Sequence, residues 1–325
     1  MKKNSTRQKS ITAPVAVLAV FILLLLTRFL EGELLTRENE YVAIIVLQLL
    51  IFLLPAAIYI KLTSANVSEL RISPFGLGHI LLVISAIVTI SAGTLLIRYY
   101  TAGYSALSEN YDLYGVFISK NDGGVGDTLY LVLAYAALPA VCEEAVFRGI
   151  LCAEYQHRSS FAAVFMSSLF FAMIHFDTEN FLALFFAGAV LSFTLYATRS
   201  LLAPIVVHFC QNLLSVFGRP AIQTLYDLGG EKLFIFIITA LALLFAFIFC
   251  SEAARLYRGY SRQNLSSEYR NSNDAERSSE GGDTPSQWDE FAKRFPRVSA
   301  TLGAIFSPTA LLCYVIYAVA LFIKI

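Results

Sequence analysis

The chain has 325 residues, of which 57% are hydrophobic and 15% charged, and its 24 basic and 24 acidic residues cancel. A soluble domain carries about 25% charged residues, so this composition excludes an ordinary water-soluble globule. The zero net charge leaves no overall basic field and excludes a nucleic-acid binder built on one.

A helix needs roughly 20 apolar residues to cross about 30 Å of hydrocarbon. Runs of about that length fall near 12–30, 41–61, 79–99, 128–151, 161–176, 180–198, 202–218, 232–250 and 302–323. The first follows Lys2, Lys3, Arg7 and Lys9, but it is longer than a signal-peptide core and lacks an A-x-A site, so it reads as a retained span. The runs show no dyad alternation of barrel strands, and lipid tolerates no other spanning backbone than a helix or a closed barrel. The expected fold class is therefore all-α, a polytopic transmembrane helix bundle of about eight to nine spans. The expected organisation is a cytoplasmic tail over 1–11, three helices within 12–99, a membrane core over 126–250, a polar cytoplasmic linker over 251–300 and a last helix over 301–325.

Charge sets the expected orientation. With the N-terminus in the cytoplasm, 17 of the 24 basic residues fall inside, among them Lys61, Arg71, Arg158, Arg199 and Arg255. Arg98, Lys120 and Arg219 fall on the other side, where Glu109, Asp112, Asp122 and Asp127 make a loop acidic. Residues 251–300 are rich in Ser, Asn, Glu and Arg around Glu280-Gly281-Gly282-Asp283, which predicts disorder. Within them, Trp288 to Phe295 is a short amphipathic stretch suited to the membrane surface. The five cysteines lie in or beside apolar runs without a C-x-x-C pair and read as buried small hydrophobes.

Ionisable residues inside spans are costly and point to function. The fourth span holds Pro139, Glu143, Glu144 and Arg148. Arg148 stands one turn after Glu144 and can pair with it, which leaves Glu143 free. Pro139 removes a backbone bond and predicts a kink just before the glutamates. The fifth span ends in Phe171-x-x-x-His175. Glu143 and His175 each lie about 16 residues from the turn near His157 to Ser160, so an antiparallel hairpin sets them at equal height. The seventh span carries His208 and Asn212 on one face, with His208 about 10 Å from the cytoplasmic turn. A site near the cytoplasmic face, in a water-accessible cavity, is the expectation. His79 and His157, at span ends, read as surface residues.

Glu143-Glu144-x-x-x-Arg148, Phe171-x-x-x-His175 and His208-x-x-x-Asn212 resemble, in order, the three motifs of the CPBP (CAAX protease and bacteriocin-processing, or Abi) family of intramembrane proteases, which includes the Rce1-type endopeptidases. Thr198 to Pro204 is similar to that family's approach to its third motif. The resemblance runs from about Ala136 to Asn212 and implies a CPBP/Rce1-like core. It implies Glu143 as the base that activates water and His175 as its positioning partner. His208 and Asn212 would stabilise the oxyanion, and Glu144, held by Arg148, would orient the site. The implied substrate is a peptide or lipidated protein at the membrane, cut at a CAAX motif or a leader. No cofactor is expected; zinc on Glu143, His175 and His208 is the alternative, although H-E-x-x-H is missing. Two other functions share the features: a non-catalytic scaffold or immunity-type protein of the same fold, and a proton relay through Glu143 and His175 in a transporter.

Overall fold

The computed structural model describes residues 13–34, 40–63, 70–109, 111–118, 123–157, 159–271 and 296–322. Helix dominates, and no strand occurs among the described residues. The helices are α1 (Pro14–Leu34), α2 (Glu40–Thr63), α3 (Ile80–Glu109), α4 (Leu113–Ile118), α5 (Val125–Gln156), α6 (Ser160–Met173), α7 (Phe181–Thr198), α8 (Leu202–Phe217), α9 (Arg219–Asn271), α10 (Pro296–Ile305) and α11 (Pro308–Phe322). Five of them, α2, α3, α5, α7 and α9, are long and apolar enough to span a bilayer. Four shorter apolar helices in α1, α6, α8 and α11 complete the set predicted from the runs.

Two of the shorter helices shape the interior. With 14 and 16 residues, α6 and α8 rise about 21 and 24 Å, less than the hydrocarbon thickness. Their ends therefore stop at membrane depth, where irregular backbone is tolerated only beside a cavity or other protein. The turn after α6 is such a place, and Phe176 within it takes a positive φ of 50°.

Breaks in the long helices have local causes. Gly103 (φ 79°) interrupts α3, and Gly229 with Gly230 (φ 67°) interrupts α9, conformations that glycine adopts without a Cβ clash. Helix α5 stays continuous across Pro139 but widens into π turns at 132–137 and 145–151. The predicted kink is thus absorbed by a wide turn just before the regular stretch Leu138–Glu144.

The linker expectation needs correction at its start. Helix α9 runs on to Asn271, so 251–271 is helical and continues the preceding span. Its other end is also helical, since α10 begins at Pro296. The acidic centre at 280–283 and the amphipathic stretch 288–295 lie outside the described residues.

Contacts between loops define the two ends of the bundle. At one end Arg255 donates to Gly78 O (3.0 Å), Arg71 donates to Gln156 Oε1 (3.0 Å) and Leu201 N donates to Arg71 O (3.0 Å). At the other, Arg219 pairs with Asp112 and donates from its backbone N to Tyr111 O (2.9 Å), while Tyr99 donates to Glu231. Between the ends α6, α7 and α8 pack around the middle of α5, and α3 packs along α7, α8 and α9. All five cysteines are free.

Candidate active site

Helix α5 delivers Glu143, Glu144 and Arg148 to the centre of the bundle, where all three are buried. Arg148 Nη1 donates to Glu144 Oε1 at 2.7 Å, as the four-residue spacing predicts. Its Nη2 donates to the Gly188 carbonyl at 3.0 Å, across to α7. That approach needs glycine: a Cβ at Gly188 would stand 2.8 Å from Ser168 Cα on α6. Helices α6 and α7 therefore touch backbone to backbone, the small-residue packing that lipid-embedded helices use.

His208 completes a chain of charge-assisted bonds. Its Nδ1 lies 2.9 Å from Glu144 Oε1, the oxygen that Arg148 also holds. A carboxylate oxygen only accepts, so Nδ1 carries the proton and Nε2 is the nitrogen turned to Glu143. Nε2 lies 3.9 Å from Glu143 Oε2. That gap is too wide for a direct hydrogen bond. Glu143 Oε2 is buried and has no hydrogen-bond partner, which marks it as a group held for something else.

Phe171 is the platform beneath both histidines. Its ring meets His175 edge-on at 5.2 Å and His208 at 5.5 Å between centroids, with the Arg148 guanidinium 4.6 Å from its own centroid. His175 Nδ1 lies 2.8 Å from Phe171 O and must donate to it, leaving Nε2 as the ring nitrogen that can act on a ligand. Asn212 donates through Nδ2 to Ala136 O at 3.4 Å, in the first wide turn of α5, and keeps a second N–H. Phe171, His175, His208 and Asn212 line one cavity of about 190 Å³. His157, by contrast, is exposed on the surface.

Among the described residues no group of three or more His, Cys, Asp and Glu side chains converges as a metal set.

Part of the cavity was not foreseen. Ile90, Thr94 and Arg98 line it from one face of α3, and Gln211 and Ser215 line it from α8. Ser91 Oγ donates to Gln211 Oε1 at 3.0 Å, and Gln211 Nε2 donates to Thr94 Oγ1 at 3.1 Å, which ties the two helices together. Ser91, Thr94 and Arg98 recur at helical spacing inside an apolar run, a polar stripe that the sequence shows but that assigning Arg98 to a span end passed over. His208 stands about 9 Å from the start of α8, yet the lining residues lead from it toward Arg98, Ser215 and Ala183. They run away from the end with Arg71, Gln156 and Arg255, the end assigned by charge to the cytoplasm.

Such an all-α bundle of apolar helices, with paired carboxylates, arginine and histidines at its centre, is an integral membrane protein. Residues 125–214 match the family model described as type II CAAX prenyl endopeptidase Rce1-like, and over that stretch the chain is similar to CPBP/Rce1-like proteins. The match begins at the first residue of α5, spans α6 and α7, and contains all six expected site residues. No curated protein and no solved structure matches the chain.

Proposed function

We propose that this protein is an intramembrane endopeptidase that hydrolyses peptide bonds with a water activated by Glu143, without a metal ion. The observation that carries the reading is the chain Gly188–Arg148–Glu144–His208, which ends with His208 Nε2 3.9 Å from the unpartnered Glu143 Oε2.

In this reading Glu143 takes a proton from the water as its oxygen attacks the scissile carbonyl. His175 Nε2 accepts a hydrogen bond from the same water and holds it in line. Imidazolium at His208 donates from Nδ1 to Glu144 and from Nε2 to the developing oxyanion, and the second N–H of Asn212 is the other donor. Glu144 and Arg148 fix the ring of His208, as the acid of a catalytic triad does for its histidine. When the C–N bond breaks, the proton held by Glu143 passes to the leaving amine and the water oxygen stays in the new carboxylate. Burial excludes bulk solvent and strengthens each of these interactions.

The experiment is cleavage of membrane-associated peptides by the purified chain in detergent or nanodiscs. Glu143→Gln keeps volume and fold and is expected to lower turnover at least 10³-fold, a loss of the base's function. Full activity in that variant would sink the assignment. Chelator should leave the wild type active; a loss restored by added zinc would reinstate the metal alternative.

A further inference from the structure

Arg98 on α3 and Ser215 on α8 both line the cavity, and the segments that follow them meet across its end. Past Arg98, α3 breaks at Gly103 and resumes over 104–109, with Tyr111 and Asp112 beyond. Past Ser215, α8 gives way to the first part of α9, residues 219–228, which the break at Gly229 and Gly230 sets off from the rest of that helix. Three contacts fasten one segment to the other. Asp112 pairs with Arg219, the backbone N of Arg219 donates to Tyr111 O at 2.9 Å, and Tyr104 stacks on Tyr226 with ring centroids 3.6 Å apart. Leu107, Tyr111 and Ile222 are buried in the apolar cluster between them. Tyr111 also reaches the cavity wall, since the Arg98 guanidinium lies 5.1 Å from its ring centroid.

This covering has the parts of a movable one. Gly103 takes a φ of 79°, yet a Cβ there would meet nothing within 4 Å. Glycine is needed at that point for the backbone angle and not for space, as suits a hinge. The break in α9 lies beside it, because Tyr99, just before Gly103, donates to Glu231, just after Gly230. The fastenings are a partly exposed ion pair, one backbone hydrogen bond and one ring stack, each a modest interaction. The covered position also carries a penalty: the Tyr111 hydroxyl and Arg98 Nε are both buried without hydrogen-bond partners, and water satisfies them once Tyr111 lifts away. We propose that residues 104–109, Tyr111 and Asp112 form a strap over the cavity, hinged at Gly103 and latched by Arg219 and Tyr226, and that its release opens the cavity between Arg98 and Ser215. The strap lies outside the family match over 125–214 and does not depend on the hydrolase reading.

The test reads how fast a small maleimide modifies Ser215→Cys in the full chain, in nanodiscs, with the five native cysteines replaced by alanine or serine. Labelling needs no turnover, so a catalytically silent chain tests the strap equally well. Asp112→Asn removes the ion pair and Tyr226→Ala the stack; each should raise the rate about threefold, and the two together about tenfold. Gly103→Ala removes no contact but disfavours the positive φ of the latched state, so it should speed labelling as well. Ser167→Cys is the control for general loosening, because Ser167 is fully buried and donates to Phe147 O at 3.0 Å. It should stay unreactive in every background. Rates at Ser215→Cys that do not change in any of the three variants overturn the strap. So does a parallel rise at Ser167→Cys, which would mean loosening of the whole bundle, or a rate in the otherwise unaltered chain as fast as that of a free thiol, which would mean that nothing covers the cavity.

Discussion

Glu144 and Arg148 are both fully buried, and neither is proposed to touch the substrate. Their value lies in what they do to His208. Removing one partner of a buried pair leaves an uncompensated charge at a cost of about 3–5 kcal/mol, so Arg148→Met should lower the thermal midpoint in detergent sharply. Glu144→Gln is gentler, since the amide oxygen can still accept from Nδ1 while the negative charge that holds imidazolium is gone. Its expected signature is a fall in kcat of about 10²-fold or more with KM little changed, in a protein that still melts near the wild-type temperature. A Glu144→Gln enzyme with wild-type kcat would remove the proposed link from Arg148 to catalysis.

Helical regularity explains why part of this site is legible in the sequence. The spacing of Glu144 to Arg148 and of His208 to Asn212 is a property of one helix each, and regular helical rise converts it directly into shared faces. Relations between helices are different: that His208 meets Glu144 depends on how α8 turns against α5, and no spacing within either element states it. The same limit hides the α3 stripe, whose meaning comes only from the cavity it faces, and the helical start of the 251–300 segment, where polar composition outweighs continuity with the span before it. Close approach is another such relation. Gly188 reads like any small residue, yet its missing Cβ lets α6 and α7 touch and sends its carbonyl to Arg148. Gly188→Ala puts a methyl group 2.8 Å from Ser168 Cα, a backbone atom that cannot swing aside. The expected cost is about 1–3 kcal/mol of overpacking, read as a lower thermal midpoint. Turnover should fall with it even where the protein remains folded, because the carbonyl that holds Arg148 must shift. Gly188→Ala with unchanged melting and turnover would show that the contact matters to neither.

Orientation joins the charges to the chemistry. Lys61, Arg71, Arg199 and Arg255 belong to one end of the bundle, where contacts between Arg71 and Gln156 and between Arg255 and Gly78 tie loops together. If that end lies in the cytoplasm, as basic loops favour, the cavity leads from His208 through Ser215 and Arg98 toward the opposite side. A substrate would then reach the cavity from outside the cell's inner compartment. Labelling can decide this. Ser215→Cys is a small change in a cavity-lining residue, made in a chain whose five cysteines have been replaced by alanine or serine. In sealed cells a membrane-impermeant maleimide should modify the new thiol from outside, and Arg71→Cys, at the other end, should react only after lysis. Reversal of both results would place the Arg71 end outside and the cavity mouth in the cytoplasm, contrary to the charge assignment. Reaction of both positions before lysis would mean that the two ends are not on opposite sides of the membrane, and the bundle would need a different embedding altogether.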